Sequence, residues 1–340
     1  HVYARIWWDK EENKIGKRGK LARVLYMTNI GTIPDSQGVF VKERERQVGV
    51  IEEGFLEKLK RGDVFVLGGN TYRFNFARGM VAQVTSVPGK RPTVPAWYSQ
   101  RLPLSFDLGA EIVRFKGLMA EKFKKKMSKD EIKEFINSHL YLDGTASEAI
   151  YNYCKDQYDY IGMSSPRKLL IEHYKDMDGK KYVVFHSNYG RRVNDALSRA
   201  IGFSLSRPIP RDVEVGISDN GFYVSHSNKV DPLKAFEFLK EENFRIVLEN
   251  ALDSSEVFKR RFRHCAGRSL MILRNYMGRK KRVGMQQVSS MILMSAVRRI
   301  SSKFFLLQET KREVLEDLMD VGNALRILKG VENKTIKIVE

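Results

Sequence analysis

Asn29-Ile30-Gly31-Thr32-Ile33-Pro34-Asp35, Gly62-Asp63-Val64-Phe65-Val66-Leu67-Gly68-Gly69 and Val94-Pro95-Ala96-Trp97 follow one another early in the chain. Their order and spacing predict a small β-barrel that ends at a tryptophan. Arg23–Ile30 and Val39–Lys42 are rich in β-formers. Tyr72-Arg73-Phe74-Asn75-Phe76 alternates aromatic and polar residues, the period of a half-buried strand. Gly68-Gly69-Asn70 and Arg78-Gly79 supply tight turns, and Glu52–Lys60 has the pattern of a short amphipathic helix. About five strands and one helix over residues 23–97 predict a closed barrel, since closure removes exposed edges.

Upstream, residues 1–22 read as strand, charged turn and glycine-rich loop. Such a ribbon is either the wing of a winged helix or a loose hairpin. Downstream, from Leu104, the apolar period becomes helical. Leu108, Ile112, Phe115, Leu118, Met119 and Phe123 share one face of a helix over 107–126, and Ser128 caps a second that runs to His139. Helices are further predicted over 145–158, 166–174, 188–205, 232–240, 254–277, 283–300 and 309–329. Lys181–His186 reads as a buried strand, and Val213–Ile217 with Phe222–Ser225 as a hairpin across Ser218-Asp219-Asn220-Gly221. The fold class expected is α+β: a small β-barrel followed by a mainly α-helical region over 98–340 with a short hairpin.

With 340 residues, the chain has room for two or three domains. Sixty Lys and Arg against 41 Asp and Glu leave a net charge of +19, which points to a polyanionic partner, because neutralised phosphates release counterions. The two cysteines, Cys154 and Cys265, lack CxxC spacing, which argues for a reducing, cytoplasmic setting and against a zinc site. No apolar run reaches membrane-spanning length, so no membrane partner is expected. The first residue is His1 rather than Met, and a strand-like run follows at once, which reads as a piece of a longer protein.

Five segments have the chemistry of a nucleic-acid interface. Trp97 follows the proline-stiffened stretch Pro88–Pro95, so it either packs the barrel against the helices or stacks on a base, with Lys90, Arg91 and Arg101 near it for phosphates. Thr32 and Ile33 sit in a turn that leaves a strand, where Ile33 either anchors the loop or touches a ligand. Ser164, Ser165, Arg167 and Lys168 stand at an expected helix start, which suits a cap or a phosphate. Arg191 and Arg192 fall in a helix's first turn, where the dipole disfavours cations and an external anion would relieve them. Lys259–Arg282 contains no acidic residue. It is expected to bury Phe258, Phe262, Cys265, Ala266, Leu270 and Leu273 and to leave Lys259, Arg260, Arg261, Arg263, Arg268 and Arg274 outside. A basic turn, Arg279-Lys280-Lys281-Arg282, follows it. Such contacts are sequence-independent.

Catalytic signatures are missing from the sequence. It holds no GxxxxGK[ST] loop, HExxH, GxSxG or Cys-His cluster. Base excision needs a carboxylate to position water. Asp195 and Asp219 are the nominees, and each is more simply a helix or hairpin residue.

Together these strings resemble the C-terminal half of the large helicase-related (Lhr-type) superfamily 2 helicases, archaeal branch, over essentially the whole chain. The NxGTIPD turn is Asn29–Asp35, the GDVFxLGG strand Gly62–Gly69, and the VPxW loop Val94–Trp97. An FGRRVNxAL-like run is Tyr189–Leu197, with Tyr189 for Phe, and ETxREVLxDxMD is Glu309–Asp320. The resemblance implies two motor domains upstream, then a winged helix of which residues 1–22 are the end, then a barrel and a winged-helix-like helicase-associated domain. It implies ATP and Mg²⁺ in the parent protein, none in this chain, and 3′-to-5′ translocation on single strands. Partners implied are single-stranded DNA or RNA, RNA–DNA hybrids or forked duplexes, the motor domains, and a repair or RNA-processing protein. Trp97 is then the residue that stacks on the loading strand and Ile33 a nucleic-acid contact. The likeness of the associated domain to winged-helix DNA glycosylases keeps base excision as an alternative, and a protein-docking platform is another.

Overall fold

A computed structural model of the chain describes residues 6–29, 38–56, 59–90, 92, 103–177, 179–206, 213–226, 231–253, 255–276, 279–281 and 283–340. Two compact units emerge, and neither is continuous in sequence. The first comprises residues 1–101 and 252–314, the second 102–251 and 315–340.

The first unit opens with an antiparallel ribbon of β1 (Ile6–Asp9) and β2 (Lys14–Lys17). Where a strand was expected over 23–30 there is a helix, α1 (Ala22–Asn29). Ala22, Leu25 and Asn29 are its buried residues, and that spacing is helical despite the β-formers between them. Asn29 fixes the helix end: its side-chain oxygen accepts from the backbone N–H groups of Arg274 and Asn275, each at 2.9 Å.

Next come β3 (Gly38–Glu43), β4 (Arg46–Glu52), the short α2 (Glu53–Leu56), β5 (Val64–Leu67), β6 (Asn70–Arg78) and β7 (Val81–Ser86). They form one five-stranded sheet in the order β4-β3-β7-β6-β5, antiparallel except for the parallel pair β3–β7. Its inner face buries Val39, Val41, Ile51, Phe65, Tyr72, Phe74, Ala82 and Val84. Closure of the expected barrel is not seen: among the described residues β4 and β5 are edges without a shared ladder. The sheet curls enough to bring Leu67 against Gly49, where an added Cβ would lie 2.7 Å from the leucine methyl.

The second unit begins with three helices, α3 (Phe106–Lys124), α4 (Lys129–Leu140) and α5 (Gly144–Tyr160). Ser105, Ser128 and Asp143 cap them through their side chains, and Ser128 forms a reciprocal capping box with Glu131. Met119, Phe123, Ile132, Ile136, Cys154 and Met163 are the core they enclose.

The helix expected over 166–174 is instead a strand, β8 (Lys168–Lys175). Ser165 and Lys168 close a turn with backbone bonds of 3.1 and 2.9 Å, and Leu169-Leu170-Ile171 then enters the middle of a sheet. A continuous apolar run of this length suits a strand covered on both faces as well as a helix. After it come β9 (Lys181–His186), α6 (Arg191–Ser206), β10 (Glu214–Ile217), β11 (Phe222–His226), α7 (Pro232–Phe238) and α8 (Glu241–Leu252), the last not anticipated. The expected hairpin β10–β11 is one side of a larger sheet, β10-β11-β9-β8-β14, which α6 covers.

Residues 255–314 return to the first unit as α9 (Glu256–Arg268), the small pair β12 (Asn275–Tyr276) and β13 (Arg279–Lys280), α10 (Val283–Ile300) and α11 (Phe305–Arg312). A single helix had been expected to run to residue 277. It stops at Arg268, with Ser269 as C-cap and Leu270 at φ 59°. The single helix expected over 309–329 is likewise broken. A π-helical turn, Glu313–Leu318, follows α11, and Asp320 caps a new helix, α12 (Val321–Glu332). The chain passes from one unit to the other inside that turn. β14 (Lys337–Val339) then pairs parallel to β8, a closing strand as anticipated.

Candidate nucleic-acid interface

The β1–β2 ribbon carries two exposed indoles. Adjacent on one strand, Trp7 and Trp8 face opposite sides, 46% and 59% accessible. Trp7 lies flat across Gly16, where an added Cβ would fall 2.6 Å from the ring. The Trp8 indole N–H donates to Asn13 Oδ1 at 3.3 Å, and the Lys10 ammonium stands 5.7 Å from the ring centroid. Ile6 and Ile15 share the face of Trp8 and are exposed too. Lys10, Lys14, Lys17, Arg18 and Lys20 surround the ribbon, against Asp9, Glu11 and Glu12. These indoles were not among the residues the sequence singled out. A run of apolar residues shows a strand, but only the exposure of the ribbon among the described residues shows that its rings are presented outward.

In the second unit the Ser164–Lys168 turn and the Tyr189–Leu197 run meet along α3. Gly109 lets the helix pass Asn188, whose carbonyl oxygen lies 2.2 Å from where a Cβ would sit, and Gly117 lies against Ser165. Ser164 is buried and donates to the carbonyl of His186 at 3.0 Å, so its hydroxyl serves the fold. Ser165 belongs to the turn, Arg167 is exposed, and Lys168 is half-buried at the start of β8. None of the four stands at a helix N-terminus, because that helix does not form. Lys116 of α3 donates to Asn188 Oδ1 at 3.2 Å, and burial pulls its ammonium below the ordinary lysine range.

Arg191 and Arg192 do open α6, the first held through its backbone and the second through its guanidinium. The Arg191 backbone N–H donates to Asp219 Oδ1 at 3.0 Å. The Arg192 guanidinium donates to the carbonyls of Glu316 (2.7 Å) and Met319 (3.2 Å). It thus sits at the C-terminal end of the π-helical turn, where the backbone dipole favours a cation, and this relieves the charge that an external anion was expected to relieve. The rest of the run is structural as well. Buried Asn194 donates to the carbonyls of Ser187 (2.7 Å), Ser218 (3.0 Å) and Asp219 (3.3 Å) and accepts from the Ser187 hydroxyl (2.7 Å). The excision nominees are tied down in the same way. Asp195 pairs with Arg199 at 2.5 Å, and Asp219 accepts from the backbone of Leu104 and Arg191.

In the first unit the acid-free segment finds its acids far away in sequence. Arg261 and Arg268 both reach Glu313, which is buried at their side; Arg261 stands at 3.2 Å. Arg263, expected outside, is buried, with its guanidinium 2.8 Å from Glu53 and 2.9 Å from Gln287. Arg274 donates to the Asn29 carbonyl at 3.1 Å. Leu273 and the Phe258–Ala266 face are buried as expected, though Leu273 lies beyond the helix and Leu270 is half-buried. His264 accepts at Nε2 from Arg263 at 3.4 Å, so Nδ1 carries the hydrogen, and that atom has no partner among the described residues. Burial first, then Arg263, Arg260, Arg261 and Arg268, push His264 down to about 3.

Lys90, just beyond β7, and Arg279 of β13 are exposed, and Lys280 is the next residue of that strand. Trp97, Ile33, Thr32, Arg91 and Arg101 lie outside the described residues. Among those described, no group of three or more His, Cys, Asp or Glu is placed to hold a metal ion, and no helix is long and apolar enough to cross a membrane.

Comparison with known proteins places this architecture. The family model "DEAD/H associated" matches residues 163–340, and "Large helicase-related protein, winged helix domain" matches residues 1–94. The chain belongs to the DEAD/H associated family, whose model spans more than half of it, and its first 94 residues match the large helicase-related (Lhr) winged-helix model. It is 52% identical over 338 residues to the ATP-dependent helicase Lhr-Core of Methanothermobacter thermautotrophicus, which covers 99% of this chain and 39% of that protein. The Lhr-Core of Saccharolobus solfataricus is 40% identical over 345 residues, with the same coverage of 99% and 39%. In three dimensions the chain is similar to Mycobacterium smegmatis helicase Lhr, solved bound to ssDNA and AMP-PNP. The TM-score is 0.70 at 21% identity, over 99% of this chain and 39% of that one. The chain thus spans about two fifths of the length of each of these relatives.

Proposed function

We propose that this chain is the nucleic-acid-binding module of an ATP-dependent 3′-to-5′ helicase acting in the cytoplasm in DNA repair or RNA processing. It holds the single strand that motor domains of the same protein pull. The observation that carries this is the β1–β2 ribbon, with two solvent-facing indoles set among lysines. Aromatic faces flanked by cations suit stacked bases and their phosphates. The charge of +19 and the relatives named as ATP-dependent helicases support the same reading, as does a structural neighbour that was solved with ssDNA. In this proposal Trp97 and Ile33 add contacts from the VPxW and GTIPD loops. Lys90, Arg167, Lys168, Arg191 and Arg279 contribute charge. Arg192, Arg261 and Arg268 act chiefly as structural cations, because their guanidinium groups already hold protein acceptors.

ATP and Mg²⁺ belong, in this reading, to the motor domains. The described residues do not fit a nucleotide–metal site, since the sequence has no GxxxxGK[ST] loop and no cluster of metal-ligating side chains is present among them.

Titration of the chain with a fluorescent single-stranded oligonucleotide tests the proposal. Stacking contributes ~1–3 kcal/mol per base, so Trp8→Ala and Trp97→Ala each weaken binding by about tenfold at fixed salt. Unchanged affinity in a variant removes that indole from the interface, and a chain that binds no single strand refutes the proposal.

A further inference from the structure

The outward face of the five-stranded sheet in the first unit presents two more aromatic rings to solvent. Strand register sets Val50, Phe40, Val81 and Arg78 in one row across β4, β3, β7 and β6, and Lys42, Gln83 and Phe76 in the next. Arg73 follows, opposite Thr85. Phe40 is 45% and Phe76 56% accessible, while the other face of the same strands is the core.

Phe76 does not reach this face by simple alternation. Tyr72 and Phe74 point inward, and a strict two-residue period buries Phe76 beside them. A β-bulge between Phe74 and Phe76 takes up one residue and switches the face that the following residues present. Asn75, the extra residue, is pinned by a 2.9 Å bond from its amide to the Thr85 hydroxyl. The fold therefore interrupts its own ladder at a point that turns a phenyl ring out of the core and into water. Bulges that re-aim a side chain in this way are designed features rather than defects.

The surroundings of the rings are basic. Lys42, Arg73 and Arg78 stand on the same face, with Glu52 at its rim. The Glu43 carboxylate is already engaged with the Ser86 N–H at 2.6 Å. Centres of protein–protein interfaces are depleted in charge, whereas rings interleaved with cations match the stacking surfaces on which single strands lie. We infer that this sheet face is a further single-strand platform, with bases on Phe40 and Phe76 and phosphates on Lys42, Arg73 and Arg78. The inference rests on the nucleic-acid reading above and adds a site to it.

The test uses the full chain, fluorescein-labelled oligothymidylate at fixed salt, and the double variants Phe40→Ala/Phe76→Ala and Phe40→Leu/Phe76→Leu. Both rings are exposed, so thermal unfolding is expected to match the parent chain. Affinity falls about tenfold in both variants, because leucine keeps the apolar surface but has no face on which a base can stack. Ultraviolet crosslinking of the parent chain to an iodouracil oligonucleotide labels a peptide from β3 or β6. Parental affinity in the alanine pair overturns the inference, as does full rescue by the leucine pair, which marks an apolar docking surface for protein. If the parent chain binds no oligonucleotide, the proposed function falls as well. If it binds and neither pair matters, this platform alone is removed.

Discussion

His264 shows how far a side chain is governed by neighbours that its sequence position conceals. It is one of five scattered internal histidines and reads as structural. In the fold, burial and four nearby arginines hold it neutral, down to about 3 from the ordinary 6.5. The folded value lies below the unfolded one, so between pH 6.5 and about 3 the unfolded chain binds the extra proton. Stability from this site is present above that window and is lost as pH falls through it. His264→Gln is expected to flatten the acid limb of a urea-unfolding series, and an unchanged slope would show that other groups govern it. The chemistry of Arg261, Arg263 and Arg268 was similarly hidden. Their local sequence lacks acids, yet Glu53 and Glu313 meet them from positions as much as 210 residues away. Residue type was legible, and pairing was not.

Among the elements, those with strong punctuation could be read from the chain. α3, α4 and α5 begin where Ser105, Ser128 and Asp143 bond the first turn, and α10 spans the residues expected of it. Where two signals compete, the tertiary partner decides. Ser164-Ser165-Pro166 has the form of a helix cap, but the apolar run behind it is claimed by β9 on one side and β14 on the other. The π-helical turn at Glu313–Leu318 leaves no mark on hydrophobic periodicity that separates it from the helices around it. The arginine-rich run at the start of α6 was legible as special but not as to its purpose, because its partners come from two distant loops. Asn194 fastens the backbone at Ser187 and at Ser218–Asp219 to α6, and its removal takes a donor from those carbonyls. Asn194→Ala is expected to cost about 1–3 kcal/mol in denaturant unfolding. A variant with parental stability would show that water replaces the amide without loss.

At the scale of the whole molecule, the sequence divides the chain at the end of the expected barrel, while packing divides it at three points, after residues 101, 251 and 314. Residues 252–314 return to the unit built by residues 1–101, a closure that adjacent-residue patterns do not record. What composition does record is charge. An excess of 19 positive charges survives all the ion pairs described, because pairing redistributes charge without removing it. Neutralisation of phosphates by such an excess makes affinity fall steeply with salt, with a logarithmic slope of about −0.7 for each phosphate engaged on a single strand. Oligonucleotide affinity measured across a salt series is the most direct test of the account. A steep linear fall, with Trp8→Ala displaced to weaker binding by about tenfold at every salt concentration, is the predicted result. An affinity that salt leaves unchanged, or a chain that captures no single strand even at low salt, would contradict it.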